Sequence, residues 1–527
     1  MALIADQTKR LVKLHGWIAI LLSMLLYTVM LTGTVVVLDN EIDHWAQSEV
    51  HHETPFDVPI DPIYQRLEVQ VPDALKETVS IGAGPEDSLR FFFGSSQAGQ
   101  GDGVGNFGRQ YLVDPDTGTL MRAEVGYEAD FRREDAGAAL ERFLVDLHVR
   151  LHVPGRWGLY LTGTLGVVML ISAITGILIH RNIIRDLFVT ERPGGRVVSI
   201  RDRHNLAGVW SLPFALLLSF TGAFLSFAVA LGLPVVAMVA FGGDQQAAIE
   251  AVTVSGSLVV ESPSKIHTLF AILSAAIACA GRPAGGMQIQ NAARADSVVE
   301  TFHAQADGNL RGMTLAYSGP SGAFLGRAHV VGTEASAGST LAELTGPLHF
   351  GNFGGMASKI IWVALGAAMT FTIVSGVQLW ARRRAEDPVW VVGYRVFVVV
   401  AWAVPIAMVA SCYGYFLTKL SGDPILWTAR AFVLAMLACA GLAMVWSGRT
   451  LSRLNQNFAM FLGLALLLLP FVRLQTGGMS LGEAILYGAT DVWLIDLLVL
   501  LCGAASLFYA RRGAQDALQP PQPSGIR

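Results

Sequence analysis

Eight apolar stretches, each about as long as a bilayer is thick, limit this chain more strongly than any other sequence feature. A helix needs roughly 20 apolar residues to cross the hydrocarbon layer, so each stretch predicts a transmembrane helix. Of the 527 residues, 53% are hydrophobic and only 15% are charged. The chain is therefore expected to be a polytopic α-helical membrane protein, with spans at residues 17–38, 157–179, 206–230, 359–380, 391–417, 425–446, 458–472 and 485–509.

Lysine and arginine residues mark alternate ends of these stretches. They precede the first span, fill the segment between the second and third, and follow the fourth, sixth and eighth, whereas the opposite short loops offer only Lys419 and Arg473. Short loops rich in these cations stay in the cytoplasm, so both termini are predicted to be cytoplasmic. Segments 39–146 and 242–347 then lie outside the cytoplasm. A cleaved signal peptide is the alternative for the first stretch, and the repeat described next argues against it.

The first and third stretches share one sequence plan. Each carries a histidine, sixteen intervening residues and a Thr-Gly pair: His15 with Thr32–Gly33, and His204 with Thr221–Gly222. Seventeen helical steps span about 26 Å, so the histidine and the Thr-Gly pair of one helix lie near opposite membrane faces.

The second and fourth stretches share another plan. The matching residues are His148, Gly155 and Thr175–Gly176 in the second, and His349, Gly355 and Ser375–Gly376 in the fourth. Because each plan occurs twice, the first 385 residues are predicted to be a tandem duplication of a two-helix unit in which every helix begins with a histidine. The Thr-Gly and Ser-Gly pairs are expected where helices pack closely.

The two long segments between spans repeat a hairpin signature. Residues 111–121 (YLVDPDTGTLM) and 316–326 (AYSGPSGAFLG) each place a turn sequence between two strand-favouring runs. Each segment is therefore predicted to form a small extracytoplasmic domain of α+β type.

Together these motifs resemble the PepSY-associated transmembrane protein family, which includes iron-regulated inner-membrane proteins and ferric-siderophore reductases. The resemblance covers about residues 10–385 and leaves the last four spans outside it. It implies two PepSY-like domains and b-type haems held by histidines of the first four helices.

The repeat itself predicts which histidines share a haem. If the two units pack about an axis along the membrane normal, His15 meets His204 near the cytoplasmic face and His148 meets His349 near the outer face. Two facing imidazoles are the axial ligands of a low-spin haem, so two haem b groups are expected. His152 and His180 are reserve ligands, and an ordinary interfacial histidine is the alternative for any one position.

The remaining features narrow the function. No CxxC, Walker or strand-flanked GxGxxG pattern is present, so no nucleotide or flavin site is expected, and a net charge of −4 gives no reason to expect nucleic acid. The last four spans contain no histidine but carry four charged residues in or near the membrane, for which snorkelling or an ion pair is favoured over a quinone pocket: Arg395, Arg430, Asp491 and Asp496.

We therefore expect an inner-membrane electron conduit that reduces ferric iron, held by a siderophore or another chelate, at the periplasmic face. Quinol or a cytoplasmic reductase would supply the electron. The alternatives are a non-enzymatic membrane protein whose PepSY domains bind peptides or a protease, and a siderophore or metal permease.

The predicted segments are 1–38 (cytoplasmic N-terminus and first span), 39–146 (first PepSY-like domain), 147–241 (second span, Arg-rich loop and third span), 242–347 (second PepSY-like domain), 348–385 (fourth span), 386–512 (four-helix region) and 513–527 (cytoplasmic tail).

Overall fold

A computed structural model describes residues 5–47, 56, 58–85, 87–95, 106–180, 183, 196–240, 242–243, 262–305, 309–329, 336–420 and 422–518. Most of the predicted Arg-rich loop and the end of the predicted tail lie outside the described residues. The chain divides into a membrane unit (Met1–Ser48, Ala138–Phe227 and Lys359–Arg527) and a sheet unit (Glu49–Gly137 and Ala228–Ser358).

The described secondary structure comprises seventeen α-helices and eight strands. In chain order the helices are α1 (Ala5–Leu21), α2 (Ser23–Val36), α3 (Asp39–Gln47), α4 (Ile60–Glu68), α5 (Glu128–Glu134), α6 (Ala139–Arg150), α7 (Arg156–Ile179), α8 (Arg196–Phe227), α9 (Leu233–Ala240), α10 (Leu269–Ala280), α11 (Ala337–Phe350), α12 (Gly355–Arg382), α13 (Pro388–Thr418), α14 (Pro424–Val445), α15 (Leu451–Gln475), α16 (Leu481–Leu486) and α17 (Thr490–Leu518). The strands are β1 (Thr78–Ala83), β2 (Leu89–Ser95), β3 (Phe107–Val113), β4 (Leu120–Tyr127), β5 (Gly286–Gln290), β6 (Val298–His303), β7 (Met313–Ser318) and β8 (Phe324–Ala328).

The predicted membrane-protein class is confirmed by the long apolar helices. Among the described residues, seven helices are long and apolar enough to cross a membrane, namely α7, α8, α12, α13, α14, α15 and α17. The pair α1 and α2 also qualifies when taken together, but it is bent by 70° at Leu22. The first predicted span is therefore a broken helix, and the described part of the chain has up to eight segments long and apolar enough to cross a membrane.

Start signals in the sequence explain where the C-terminal helices begin. Asp387 and Asp423 each precede a proline, and their carboxylates accept hydrogen bonds from backbone N–H groups of the first turn of α13 and α14. Ser480 and Glu483 form a capping box that starts the short helix α16. Residue 485, where the last span was predicted to begin, belongs to this separate helix, and the last span begins at Thr490.

The sheet unit contains one antiparallel sheet in the order β4-β3-β2-β1-β5-β6-β7-β8. Its two halves correspond to the two predicted α+β domains, and they join where β1 pairs with β5, from Thr78 opposite Gln290 to Gly82 opposite Gly286. Both predicted hairpins are confirmed, as β3–β4 and β7–β8. The predicted domains therefore share a single sheet.

A helix from each half covers the same face of that sheet. The buried side chains of Leu67 on α4 and Ile272 on α10 belong to one apolar core with residues of β1, β2, β5 and β6. The Asp61 carboxylate on α4 accepts hydrogen bonds from the backbone N–H groups of Leu269 (2.6 Å) and Phe270 (3.0 Å), at the start of α10. One half of the sheet unit thus caps a helix of the other.

Candidate functional site

A cavity of about 1150 Å³ lies within the membrane unit. Its walls come from α1, α7, α8 and α12, the helices that carry the predicted repeat. His15 and His204, predicted from the repeat to face each other, both line this cavity. The volume slightly exceeds the range of about 300–1,000 Å³ typical of small-molecule and cofactor pockets, so the cavity is large enough for a ligand of cofactor size.

His15 is fixed by the neighbouring helix α7. Its Nδ1 lies 3.1 Å from the backbone oxygen of Ser172 and 3.0 Å from Thr175 Oγ1. A carbonyl oxygen can only accept, so Nδ1 carries the proton and donates it. The Thr175 hydroxyl donates its own proton to the Ile171 carbonyl at 2.8 Å, which leaves Oγ1 as a second acceptor for the imidazole. Nε2 of His15 therefore keeps its lone pair.

His204 on α8 is fixed in the same way by α12. Its Nδ1 lies 3.0 Å from the backbone oxygen of Thr372 and 3.2 Å from Ser375 Oγ. The Ser375 hydroxyl donates to the Phe371 carbonyl at 2.8 Å. Both imidazoles thus present Nε2 as a potential ligand, with the proton held on Nδ1 by a carbonyl, which is the usual arrangement of metal-binding histidines.

The glycine of each Thr-Gly or Ser-Gly pair makes room for an imidazole. A β-carbon added at Gly376 would lie 3.2 Å from Cε1 of His204, and one at Gly176 would lie 3.8 Å from Cε1 of His15. The four hydroxyl residues of these pairs are all buried: Thr32, Thr175, Thr221 and Ser375. These pairs were predicted as helix-packing positions. Two of them, Thr175–Gly176 and Ser375–Gly376, also hold a histidine of the neighbouring helix. We call the carbonyl, hydroxyl and glycine that surround such an imidazole a histidine seat.

A third seat holds His148. Its Nδ1 lies 3.0 Å from the Val29 carbonyl oxygen and 3.5 Å from Thr32 Oγ1, and a β-carbon on Gly33 would lie only 2.7 Å from its Cε1. The same three-part arrangement of carbonyl, hydroxyl and glycine therefore recurs with the first Thr-Gly pair.

The positions of His148 and His349 in their helices differ from the prediction. His148 lies in the last turn of α6, and a turn separates it from the spanning helix α7. His349 lies in the last turn of α11 in the sheet unit, before α12 begins at Gly355. Neither histidine begins a span, because left-handed residues, Leu151 after α6 and Gly351 after α11, end the preceding helix.

The two reserve histidines have different environments. His152 follows His148 by four residues, a spacing that puts two residues on one face of a continuous helix, but α6 ends at Arg150, and His152 itself has a left-handed backbone with φ of 53°. Its ring stacks on Phe143 at 4.3 Å. His180 follows the end of α7 and lines the cavity together with His15 and His204.

The cavity also contains residues that the sequence did not single out as ligands. Trp380 occupies the position of His180 in the second repeat, and its indole nitrogen is buried. Five cationic side chains line the cavity: Lys9, Lys13, Arg201, Arg383 and Arg384. The cationic clusters were predicted as topology signals alone, and their spacing gives no indication that they share one cavity.

Comparisons with known proteins identify the family. Over 277 residues the chain is 28% identical to a Pseudomonas aeruginosa protein (strain PAO1) named "Uncharacterized protein PA4219". That similarity covers 46% of this chain and 64% of the relative, so this chain matches less than two thirds of the relative's length. A family model described as "PepSY-associated TM region" matches residues 12–383, which include every histidine predicted as a ligand. The chain belongs to the family of proteins with a PepSY-associated transmembrane region.

Proposed function

We propose that this protein is a membrane-embedded haem protein that carries electrons to ferric iron, held by a siderophore or another chelate, at the periplasmic face. One observation carries the proposal: His15 and His204, at equivalent positions of a repeat, line one cavity with their Nδ1 atoms fixed in the same way. Ligation of a haem by two histidines requires two imidazoles whose Nε2 atoms are unprotonated and free to bind iron.

The residues of the cavity fit haem b in three respects. The carbonyls of Ser172 and Thr372 select the tautomer in which Nε2 can bind iron. The hydroxyls of Thr175 and Ser375 limit rotation of the two imidazoles, so each Nε2 keeps its direction. The walls from α1, α7, α8 and α12 are mainly apolar, as the walls of cofactor pockets usually are. Bound here, haem would supply a one-electron carrier near the cytoplasmic face.

We base the proposal of a second haem, with His148 and His349 as ligands, on the sequence repeat alone. His148 occupies the same kind of seat as His15, made by Val29, Thr32 and Gly33. A hydrocarbon layer of roughly 30 Å is too thick for one haem to carry an electron across, and two sites near opposite faces divide the distance. We therefore assign both pairs to haem and keep His152 outside the ligand set.

The chemistry of iron makes ferric chelates a sensible substrate class. Hard-oxygen chelators hold iron(III) far more tightly than iron(II), so a one-electron reduction releases the metal. Quinol or a cytoplasmic reductase is the proposed donor. Neither a peptide-binding protein nor a permease requires haem, so a Soret absorption band in the purified protein separates this proposal from both alternatives.

Reoxidation by an external ferric chelate tests the proposal. The reduced full-length protein is reconstituted in liposomes, and a membrane-impermeant ferric siderophore is added on the side predicted to be periplasmic. Wild type should be reoxidised, and His349→Ala should slow this step far more than it slows reduction by a cytoplasmic-side donor. His152→Ala is the matched control and should behave as wild type. Equal reoxidation rates for wild type and His349→Ala would rule out this electron route.

A further inference from the structure

The charge of the cavity lining is unbalanced. Among the described residues that line the cavity, five are lysine or arginine and none is aspartate or glutamate. Arg201 lies 3.7 Å from the carboxylate of Asp202, which is outside the lining. Lys9, Lys13, Arg383 and Arg384 form no ion pair with any other described residue. Cations gathered around one cavity without acidic partners favour an anionic ligand.

Trp380 adds a buried hydrogen-bond donor to this lining. Its Nε1 is inaccessible to solvent and has no hydrogen-bond partner among the described residues. A buried N–H group without a partner costs about 1–3 kcal/mol, so such a group calls for an acceptor that the chain does not supply. Snorkelling of long cationic side chains to lipid explains the arginines and lysines but does not explain this indole.

The indole is held rigidly in place. Trp17 and Trp390 contact its ring edge to face, at centroid distances of 5.2 and 5.5 Å. The Arg384 guanidinium carbon lies 3.5 Å above the ring, and Gly16 allows close approach, since a β-carbon there would lie 2.6 Å from the indole. A donor fixed on several sides is preorganised for one acceptor position.

We infer that this cavity contains a carboxylate-binding site, in which the Trp380 N–H and the side chains of Arg383 and Arg384 hold the two carboxylates of the porphyrin. The inference rests on the proposed function and extends it from the iron to the edge of the macrocycle. Arginine suits this role because its planar guanidinium stacks on an aromatic ring and still donates in its own plane to a carboxylate. Lipid phosphate is the other source of anionic oxygen in this region.

Porphyrins with free and with esterified carboxylates distinguish these sources. The full-length apo-protein is titrated in detergent with haem b and with its dimethyl ester, and the Soret band gives a Kd for each. Wild type should bind haem b roughly ten to a hundred times more tightly than the ester. Trp380→Phe keeps an aromatic ring against Trp17 and Trp390 but removes the N–H, and Arg383→Gln/Arg384→Gln removes two charges.

Both variants should lose most of the preference for haem b while binding the ester with unchanged Kd, which shows that the cavity is intact. The controls are Trp157→Phe and Arg382→Gln, which remove an indole N–H and an arginine charge at positions outside the lining. They should keep the preference. Equal affinity of wild type for haem b and ester would overturn the carboxylate site alone, and a dependence on anionic lipid in its place would assign the cations to headgroups. Failure to bind either porphyrin would overturn the proposed function as well.

Discussion

The histidine seats define the site at the scale of single residues. Each described seat combines a backbone carbonyl, a buried hydroxyl and a glycine on the helix that faces the histidine. The carbonyl fixes the proton on Nδ1, the hydroxyl limits rotation of the ring, and the glycine makes space. The Thr-Gly and Ser-Gly pairs are therefore positioning residues for the candidate ligands.

Removing the seat hydroxyls tests this assignment. Thr175→Val and Ser375→Ala each take one acceptor from an Nδ1–H group, and loss of such an outer partner weakens metal-site affinity by about 10–100-fold. Each variant should release haem b faster than wild type and shift its midpoint potential. Thr164→Val, at an exposed position of the same helix α7, is the control and should change neither quantity. Retention of haem and potential in all three variants would show that the hydroxyls serve helix packing.

Part of this site could be predicted from residues alone. The spacing of His15 and His204 in the repeat indicated the pair without any structure. The partner hydroxyl could not be predicted, because Thr175 lies 160 positions from His15 and the contact depends on how α1 packs on α7. The sequence could not place His152 correctly, because a spacing of four residues from His148 puts the two on one face only while the helix continues, and α6 ends at Arg150.

At the scale of elements, the last four spans hold the segment that follows the first span. Arg473 is fully buried on α15 and pairs with Asp496 on α17 at 2.6 Å. The same carboxylate accepts a hydrogen bond from Trp45 Nε1 on α3 at 2.8 Å. Lys419 donates to the carbonyls of Ala46 and Gln47 at the end of α3. These contacts fix α3 against the C-terminal bundle.

The expected ion pair in these spans is therefore present, but its cation differs from the prediction. The predicted span ended at residue 472 and placed Arg473 in a loop, whereas α15 continues to Gln475 and buries it. A span predicted from hydropathy alone is ended at the first charged residue. It cannot show that the charge has a partner on another helix.

Breaking this pair should destabilise the membrane unit. Arg473→Met leaves the Asp496 carboxylate, which is 20% exposed, with the Trp45 indole as its remaining partner among the described residues, and removing one member of a buried pair costs at most about 3–5 kcal/mol. The added change Asp496→Asn removes the unpaired charge and keeps an oxygen for Trp45, so the double variant should recover part of the loss. Thermal unfolding of the purified protein measures both. Arg453→Met, exposed on the same helix, is the control, and a double variant less stable than Arg473→Met would contradict this explanation.

A second contact of α3 should depend on pH. His44 Nδ1 lies 2.7 Å from the Asp491 carboxylate, and this hydrogen bond, opposed by partial burial and aided by the charges of Asp491, Asp43 and Glu41, raises the pKa of His44. Its stabilisation is therefore complete below the unfolded pKa of about 6.5 and is lost as the pH rises through the higher folded value. Because the His44 side chain is 45% exposed, we expect less than about 1 kcal/mol.

Melting temperatures of wild type and His44→Gln across this range check the sign of that effect. The two proteins should differ most at acidic pH and converge at alkaline pH. A difference that grows with rising pH would mean that His44 is not held by Asp491 in its charged form.

At the scale of the whole molecule, duplication organises both units. The repeat places two pairs of equivalent helices around the cavity in the membrane unit, and it places two four-stranded halves side by side in the sheet unit. The two halves and both hairpins could be predicted from turn sequences. The pairing of β1 with β5 could not, because it joins strands separated by about 200 residues and their alternating patterns fit several neighbours equally well.

The central claim is that equivalent residues of the two repeats share one haem. The most direct measurement is a pyridine haemochrome count on full-length protein, together with the electron paramagnetic resonance spectrum of each haem, in wild type, His15→Ala and His204→Ala. We predict two b-type haems per chain in wild type, with the same single low-spin signal lost in both variants and the other signal unchanged. Wild-type protein from haem-replete cells that contains no haem, or variants that remove different signals, would contradict the account.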